Sequence, residues 1–381
     1  MYLTRCMYVF AVFLVLIILS GCWDRMEVND LGIVVGVGLE ETEDNQVEFS
    51  AQIVNPQGMS GGQPSTVKTA KGKTAFDAVS KLQQKFSRRL FIGHNRVYII
   101  GEKMAKQGIR NHIELFTRHP NPRLRAYVFV TKGNPADLLR ITPVLERGSA
   151  EFMRELANFK IGVQVTLKDL LQMTASPSRG AILPVIEPGK DTESPGVRLN
   201  GSAIFKDGKI VGYVNTKLTR GILYVLNKVD KAVITIQPEG EEGFITFDII
   251  RTSTELIPEI KNDNWKMTIK INSVDDAVEN DTTLNLMNPK IVRKLESQLE
   301  KALAKRVRLA VKKVQEEMQV DVLGFDKIFH RKYPNDWAKV KNRWEGKFPD
   351  VEVKVQATVR IQRPGRTTYP PTVPENEVTG K

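Results

Sequence analysis

A chain of 381 residues, 41% hydrophobic and 26% charged, has ordinary globular composition and length for two or three domains with cores of their own. Its two cysteines, Cys6 and Cys22, exclude a disulfide framework or a cysteine-built metal site in the body of the protein. A formal charge of +12 suits an anionic membrane surface or an acidic partner, and behind an export leader these come ahead of nucleic acid.

The leader is the first element. Arg5 supplies a positive start, and an unbroken apolar run of about a dozen residues follows, too short for the roughly 20 that a membrane span needs. It closes on Leu19-Ser20-Gly21-Cys22, a lipobox: one apolar residue, two small ones that fit a peptidase cleft, then cysteine. Residues 1–21 are therefore expected to be a signal peptide, cleaved between Gly21 and Cys22. Cys22 is expected to carry a thioether-linked diacylglyceryl group and an N-acyl chain. More than one acyl chain anchors a protein stably without a spanning helix.

Beyond the leader, Leu31 to Gly38 is a β-branched run with interspersed glycines, a buried strand. Gly36-x-Gly38 lacks the rest of a dinucleotide fingerprint, so close backbone packing explains it better than a phosphate loop. A strand over 47–54, a mobile loop from Pro56 to Pro64 and a helical stripe over 73–86 follow. Next comes the basic turn Ser87-Arg88-Arg89, feeding Gly93-His94-Asn95-Arg96-Val97. If extended, this stretch puts His94 and Arg96 on one face, where together they can contact an anion. A structural histidine beside a surface arginine is the plainer reading. His112 and His119 lack metal-ligand spacing, and no metal or other cofactor is expected. A strand over 124–130 leads to a helix opened by Asn134-Pro135, and helices are expected over 146–159 and 166–173. Thr166 with Asp169 forms a capping box at the start of the last of these. The turn-rich Pro188 to Gly196 marks a boundary near Pro195.

Asp207-Gly208 between two β-rich runs signals a hairpin. A helix over 216–226 and strands over 232–237, 243–253 and 265–274 continue the middle segment. Asn288-Pro289 opens a long helix running to Met318, apolar at Leu295, Leu299, Leu303 and Val307. Its other side carries Arg293, Lys294, Lys301, Lys305, Arg308, Lys312 and Lys313, either a solvated face or a surface for lipid or an acidic partner. Trp337, Val340 and Trp344 at helical spacing read as a packed stripe rather than a base-stacking platform. From Val351 to Ile361 the strict alternation is that of a strand with one buried and one wet face.

The expected architecture is mixed α+β or α/β in three domains, each a sheet with flanking helices. They run over 22–195, 196–280 and 281–364, with a flexible tail over 365–381. No GxSxG, phosphate loop or CxxC occurs, so catalysis is the minority expectation. A solute-binding lipoprotein and a cell-wall hydrolase are the competing functional classes.

One further reading comes from family likeness. Cys22-Trp23-Asp24-Arg25 with Asn29-Asp30-Leu31-Gly32-Ile33 resembles the mature start of the Ger(x)C spore-germination lipoproteins. So do Gly93 to Val97, Asn200 to Phe205 and Thr219-Arg220-Gly221, and at the C-terminal end Gly324-Phe325-Asp326, Arg331 to Pro334, Trp337, Trp344 and Phe348-Pro349. The resemblance implies the C subunit of a germinant receptor, a lipoprotein on the outer face of the spore inner membrane. It also implies A and B membrane subunits as partners, three α/β domains and no known enzymatic activity; the small-molecule germinant is a partner through the receptor, and direct contact with it is left open. Of the family's functional residues it carries over Cys22 alone.

Overall fold

The computed structural model describes residues 27–55, 63–118, 122–190 and 196–363, together with 2–8, 10 and 379. The lipobox with Cys22, His119, most of the Pro56–Pro64 loop and the tail apart from Thr379 lie outside the described residues.

The first half builds one nine-stranded sheet. Strands β1 (Leu31–Glu41), β2 (Val47–Val54) and β3 (Ser65–Gly72) form an antiparallel meander. The chain then crosses through helix α1 (Ala75–Gln83) and the short strand β4 (Arg89–Phe91) to β5 (Val97–Gly101), parallel to β1. Helices α2 (Glu102–Gln107) and α3 (Arg110–Arg118) lead to β6 (Tyr127–Thr131), parallel to β5. Helices α4 (Pro135–Arg140), α5 (Ser149–Asn158) and α6 (Leu167–Thr174) precede β7 (Gly180–Pro188), and β8 (Val197–Lys206) and β9 (Lys209–Val214) complete the order β3-β2-β1-β5-β6-β7-β8-β9, with β4 beside β1.

Strand periodicity decides which side chains meet which layer. Val97 and Ile99 pack with Leu138, Leu139 and Met153 of α4 and α5. Tyr98 and Ile100 point the other way, toward Met104, Ile113, Phe116 and Leu170. The glycines of β1 permit this closeness: a Cβ at Gly36 would sit 2.7 Å from Leu139 Cδ2, and one at Gly38 2.7 Å from Pro135 Cβ. Close backbone packing is thus what Gly36-x-Gly38 provides. The helix starts are those the sequence signals: Asn134 accepts from the Ala136 N–H at 2.8 Å, and Thr166 and Asp169 form a reciprocal capping box.

Two strands carry no clean pattern. β3 is polar and lies on the edge of its sheet, and β7 contains Pro184, which the sheet accommodates where the register with β8 slips between Pro184 and Ile186. β8 and β9, which follow the boundary expected near Pro195, pair onto β7, so the first sheet continues to Val214. Their hairpin turns at Asp207 and Gly208 with φ of 53° and 78°, the left-handed pair that a type I′ turn requires.

Helix α7 (Thr216–Val225) then leads to a four-stranded sheet: β10 (Val233–Ile236), β11 (Ile245–Lys261), β12 (Asn264–Asn280) and, after four helices, β13 (Glu352–Arg363). The strands thus gather in two sheets, the last one returning parallel to β12. The helices between are α8 (Pro289–Lys312), α9 (Phe325–Lys332), α10 (Pro334–Val340) and α11 (Trp344–Lys347). The expected helix to Met318 holds α-geometry to Lys312 and ends in a π-helical turn over Lys313–Glu317. Trp337 and Trp344 are buried in an aromatic cluster with Trp265, Phe329 and Phe348, packed and not available to bases. One continuous apolar core joins the two sheets through α7 and α8, where Gly221 lets the helices touch: a Cβ there would lie 2.6 Å from Ala310 Cβ.

Candidate functional site

Among the described residues no helix is long and apolar enough to cross a membrane, and no three His, Cys, Asp or Glu come together as metal ligands. Three places gather charged residues: two that the sequence singles out, and one that it does not.

The first is α8. Asn288 caps it, accepting from the Lys290 N–H at 2.9 Å, and Leu295, Leu299, Leu303, Val307, Ala310 and Val311 bury one side. At 100° per residue, Lys294, Lys301, Lys305, Arg308 and Lys312 fall on a single stripe with Arg293 at its margin, and all six are exposed. Lys313 departs from them: it opens the π-turn, is half-buried and pairs with Glu317. Between core and stripe, Glu296 and Glu300 accept the Ile361 and Val359 N–H groups at 2.9 and 3.1 Å. The helix thereby lies along the outer edge of β13 and ties off two of its free donors.

The second is a pocket of about 350 Å³ at the start of β1. Gly93 is not extended. Ile92–His94 is a 3₁₀ turn closed by the Asn95 N–H on the Ile92 carbonyl, and the strand begins only at Val97. A Cβ at Gly93 would come within 2.7 Å of the Phe91 ring, so the bare glycine makes room for that ring beside the turn. His94 and Arg96 nevertheless line the same pocket, from a turn and a strand approach rather than one strand face. Ile33, Val35 and the buried Gln52 form part of its wall, and Arg123, Arg147 and Arg154 bring three more guanidinium groups. Arg96 pairs with Glu151 at 2.5 Å, and Arg154 lies 3.5 Å from the same carboxylate. Gln52 fixes the wall from below, donating to Ser65 Oγ and the Leu139 carbonyl while accepting the Ala150 N–H at 3.0 Å. Loop residues Arg123 and Arg147 carry no sequence signal linking them to His94; only the topology brings them together.

The third is the junction of the two sheets. Asp321 is buried and accepts four backbone N–H groups, from Leu323 to Asp326, and the Trp344 indole N–H at 3.0 Å. It acts as a cap on the start of α9. Burial raises its proton affinity, the neighbouring Asp326 adds to the rise, and the donated hydrogen bonds oppose it. Burial likewise raises Asp326, against the pull of the Lys327 N–H and Ser178. Elsewhere, burial lowers His112 on α3 and pushes Tyr98 up to about 12.

Comparison with known proteins decides the family. The profile described as "Spore germination protein N-terminal domain" matches residues 24–188, and that described as "Spore germination B3/ GerAC like, C-terminal" matches residues 200–365. The chain belongs to the Ger(x)C family of spore germination proteins. Curated relatives align end to end: "Spore germination protein KC" of Bacillus subtilis is 26% identical over 96% of this chain and 97% of its own length. "Putative spore germination protein YfkR" of the same organism is 28% identical over 92% and 95%, and "Spore germination protein GerQC" of Bacillus cereus is 24% identical over 93% and 98%. The crystal structure of the GerBC protein superposes with a TM-score of 0.59 over 86% of this chain and 97% of that one, at 20% identity. The Ger(x)C fold is thus the mixed α+β arrangement of two helix-flanked sheets described above.

Proposed function

We propose that this family member is the lipid-anchored, non-catalytic C subunit of a spore germinant receptor. It sits through Cys22 on the outer face of the spore inner membrane and supports the nutrient response through contacts with A and B membrane subunits. The observation that carries the reading is the end-to-end match of both family profiles directly behind a lipobox. The exposed stripe of α8 is the surface we assign to lipid or partner contact. Asp321, a buried carboxylate beside Asp326, holds a helix start through its hydrogen bonds, which favours a structural over a catalytic role.

Deleting the gene is expected to abolish germination in response to one set of nutrients while other triggers still work. The wild-type chain should restore the response and fractionate with membranes, whereas Cys22→Ala should do neither. An unchanged response in the deletion strain counts against the receptor role, and stable membrane retention of Cys22→Ala counts against the anchor.

A further inference from the structure

The geometry points to an oxyanion-binding site in the arginine-lined pocket at the start of β1, with the phosphate of an anionic lipid headgroup as its ligand. The pocket's volume of about 350 Å³ is that of a small-molecule site. Its charge is unbalanced. Glu151 engages Arg96 and shares Arg154 with Glu155, while Arg123 and Arg147 have no carboxylate partner among the described residues. Guanidinium groups match a phosphate with two parallel N–H donors each, which a lysine ammonium cannot do. The ten-residue helix α5 begins at this wall, since Gly148 both precedes it and lines the pocket, but Glu151 in its first turn and Gln52, which accepts the Ala150 N–H, already meet its positive end, so the arginines carry the attraction.

Position selects the headgroup over a free anion. Ile33 and Val35 of β1 line the pocket, and the nine chain steps from Cys22 to Leu31 reach at most about 32 Å when fully extended. An acylated Cys22 therefore keeps the start of β1 within about 32 Å of the bilayer surface. A headgroup in the pocket adds a second attachment to the acyl chains and fixes which face of the body meets the bilayer. This choice of ligand rests on the anchored-subunit reading; the oxyanion site does not.

The test uses the full chain purified in detergent and titrated calorimetrically with dihexanoyl phosphatidylglycerol, dihexanoyl phosphatidylcholine and inorganic phosphate. The wild type is compared with Arg123→Gln/Arg147→Gln and with Lys270→Gln/Lys354→Gln, which removes the same charge from the exposed positions of β12 and β13; melting temperatures confirm that each variant folds. Saturable binding of the glycerol lipid but not the choline lipid is expected, weakened about tenfold or more in the pocket variant only. Phosphate should compete for the same site. Phosphate binding without lipid binding overturns the headgroup as ligand. Equal loss in both variants, or no saturable binding at all, overturns the site. Neither result bears on whether Cys22→Ala complements the deletion, so the two readings fail separately.

Discussion

Gly36, Gly38 and Gly221 each let a helix come close to its neighbour, and at Gly221 the contact is helix against helix. Its absent Cβ leaves space for Ala310 and for the Arg306 carbonyl, 3.0 Å from where that atom would be. Gly221→Val is therefore expected to push α7 away from α8 and destabilise the chain by about 1–3 kcal/mol, the usual range for overpacking. Denaturant titration reads the loss, and adding Ala310→Gly should recover part of it. At this scale the sequence was informative where chemistry is local. Asn134, Asn288 and the Thr166–Asp169 pair are caps because each bonds to backbone within three residues. That His94 and Arg96 lie close together was legible from their spacing, with a structural histidine beside a surface arginine the plainer reading; that Arg123, Arg147 and Arg154 join them was not, because their meeting depends on β1, β5 and α5 lying side by side.

Among the elements, the end of α8 shows how a local irregularity is held. The π-turn over Lys313–Glu317 turns Gln315 inward, where its Nε2 donates to the Phe348 carbonyl at 2.8 Å and the Val351 carbonyl at 2.7 Å. These two bonds fasten the helix to the start of β13. Gln315→Leu keeps most of the volume but takes one donor from each carbonyl, leaving Phe348 with only the Val351 N–H at 3.2 Å, so a loss of about 1–3 kcal/mol is expected by thermal or chemical unfolding, with Gln315→Glu at least as damaging. β13 itself was readable from its alternation, and the β8–β9 hairpin from Asp207-Gly208, because a strand with one wet face and a type I′ turn both leave marks on neighbouring residues. The turn at Asn262-Asp263, with φ of 49° and 60°, leaves a weaker mark because neither residue is glycine. The partner of β13 left none: parallel pairing with β12 joins segments separated by four helices, and nothing in either strand names the other.

For the molecule as a whole, two sheets share one core, and at their junction sits a pair of buried carboxylates. Both Asp321 and Asp326 hold their protons more tightly in the folded chain than in the unfolded one. The folded state therefore binds more protons between the two affinities. The pair's contribution to stability is fully present below the ordinary carboxylate range and is lost as pH rises through the raised values. Asp326→Asn removes one of the two titrations, so its stability relative to wild type should improve progressively from about pH 4 toward neutrality. Parallel pH profiles for the two chains would show that the pair does not titrate in this way.

The return of β13 to β12 also sets an order in time. A chain made from its amino end has every residue of the nine-stranded sheet in hand at Val214, whereas β12, seventeen residues long, must wait for four helices to be synthesised before its second neighbour exists. During that interval its bare flank is a template on which another nascent copy can add a strand. Once β13 docks, the Glu296 and Glu300 carboxylates occupy two donors on the new outer flank, so the closing strand arrives with part of its own exposed margin already sealed.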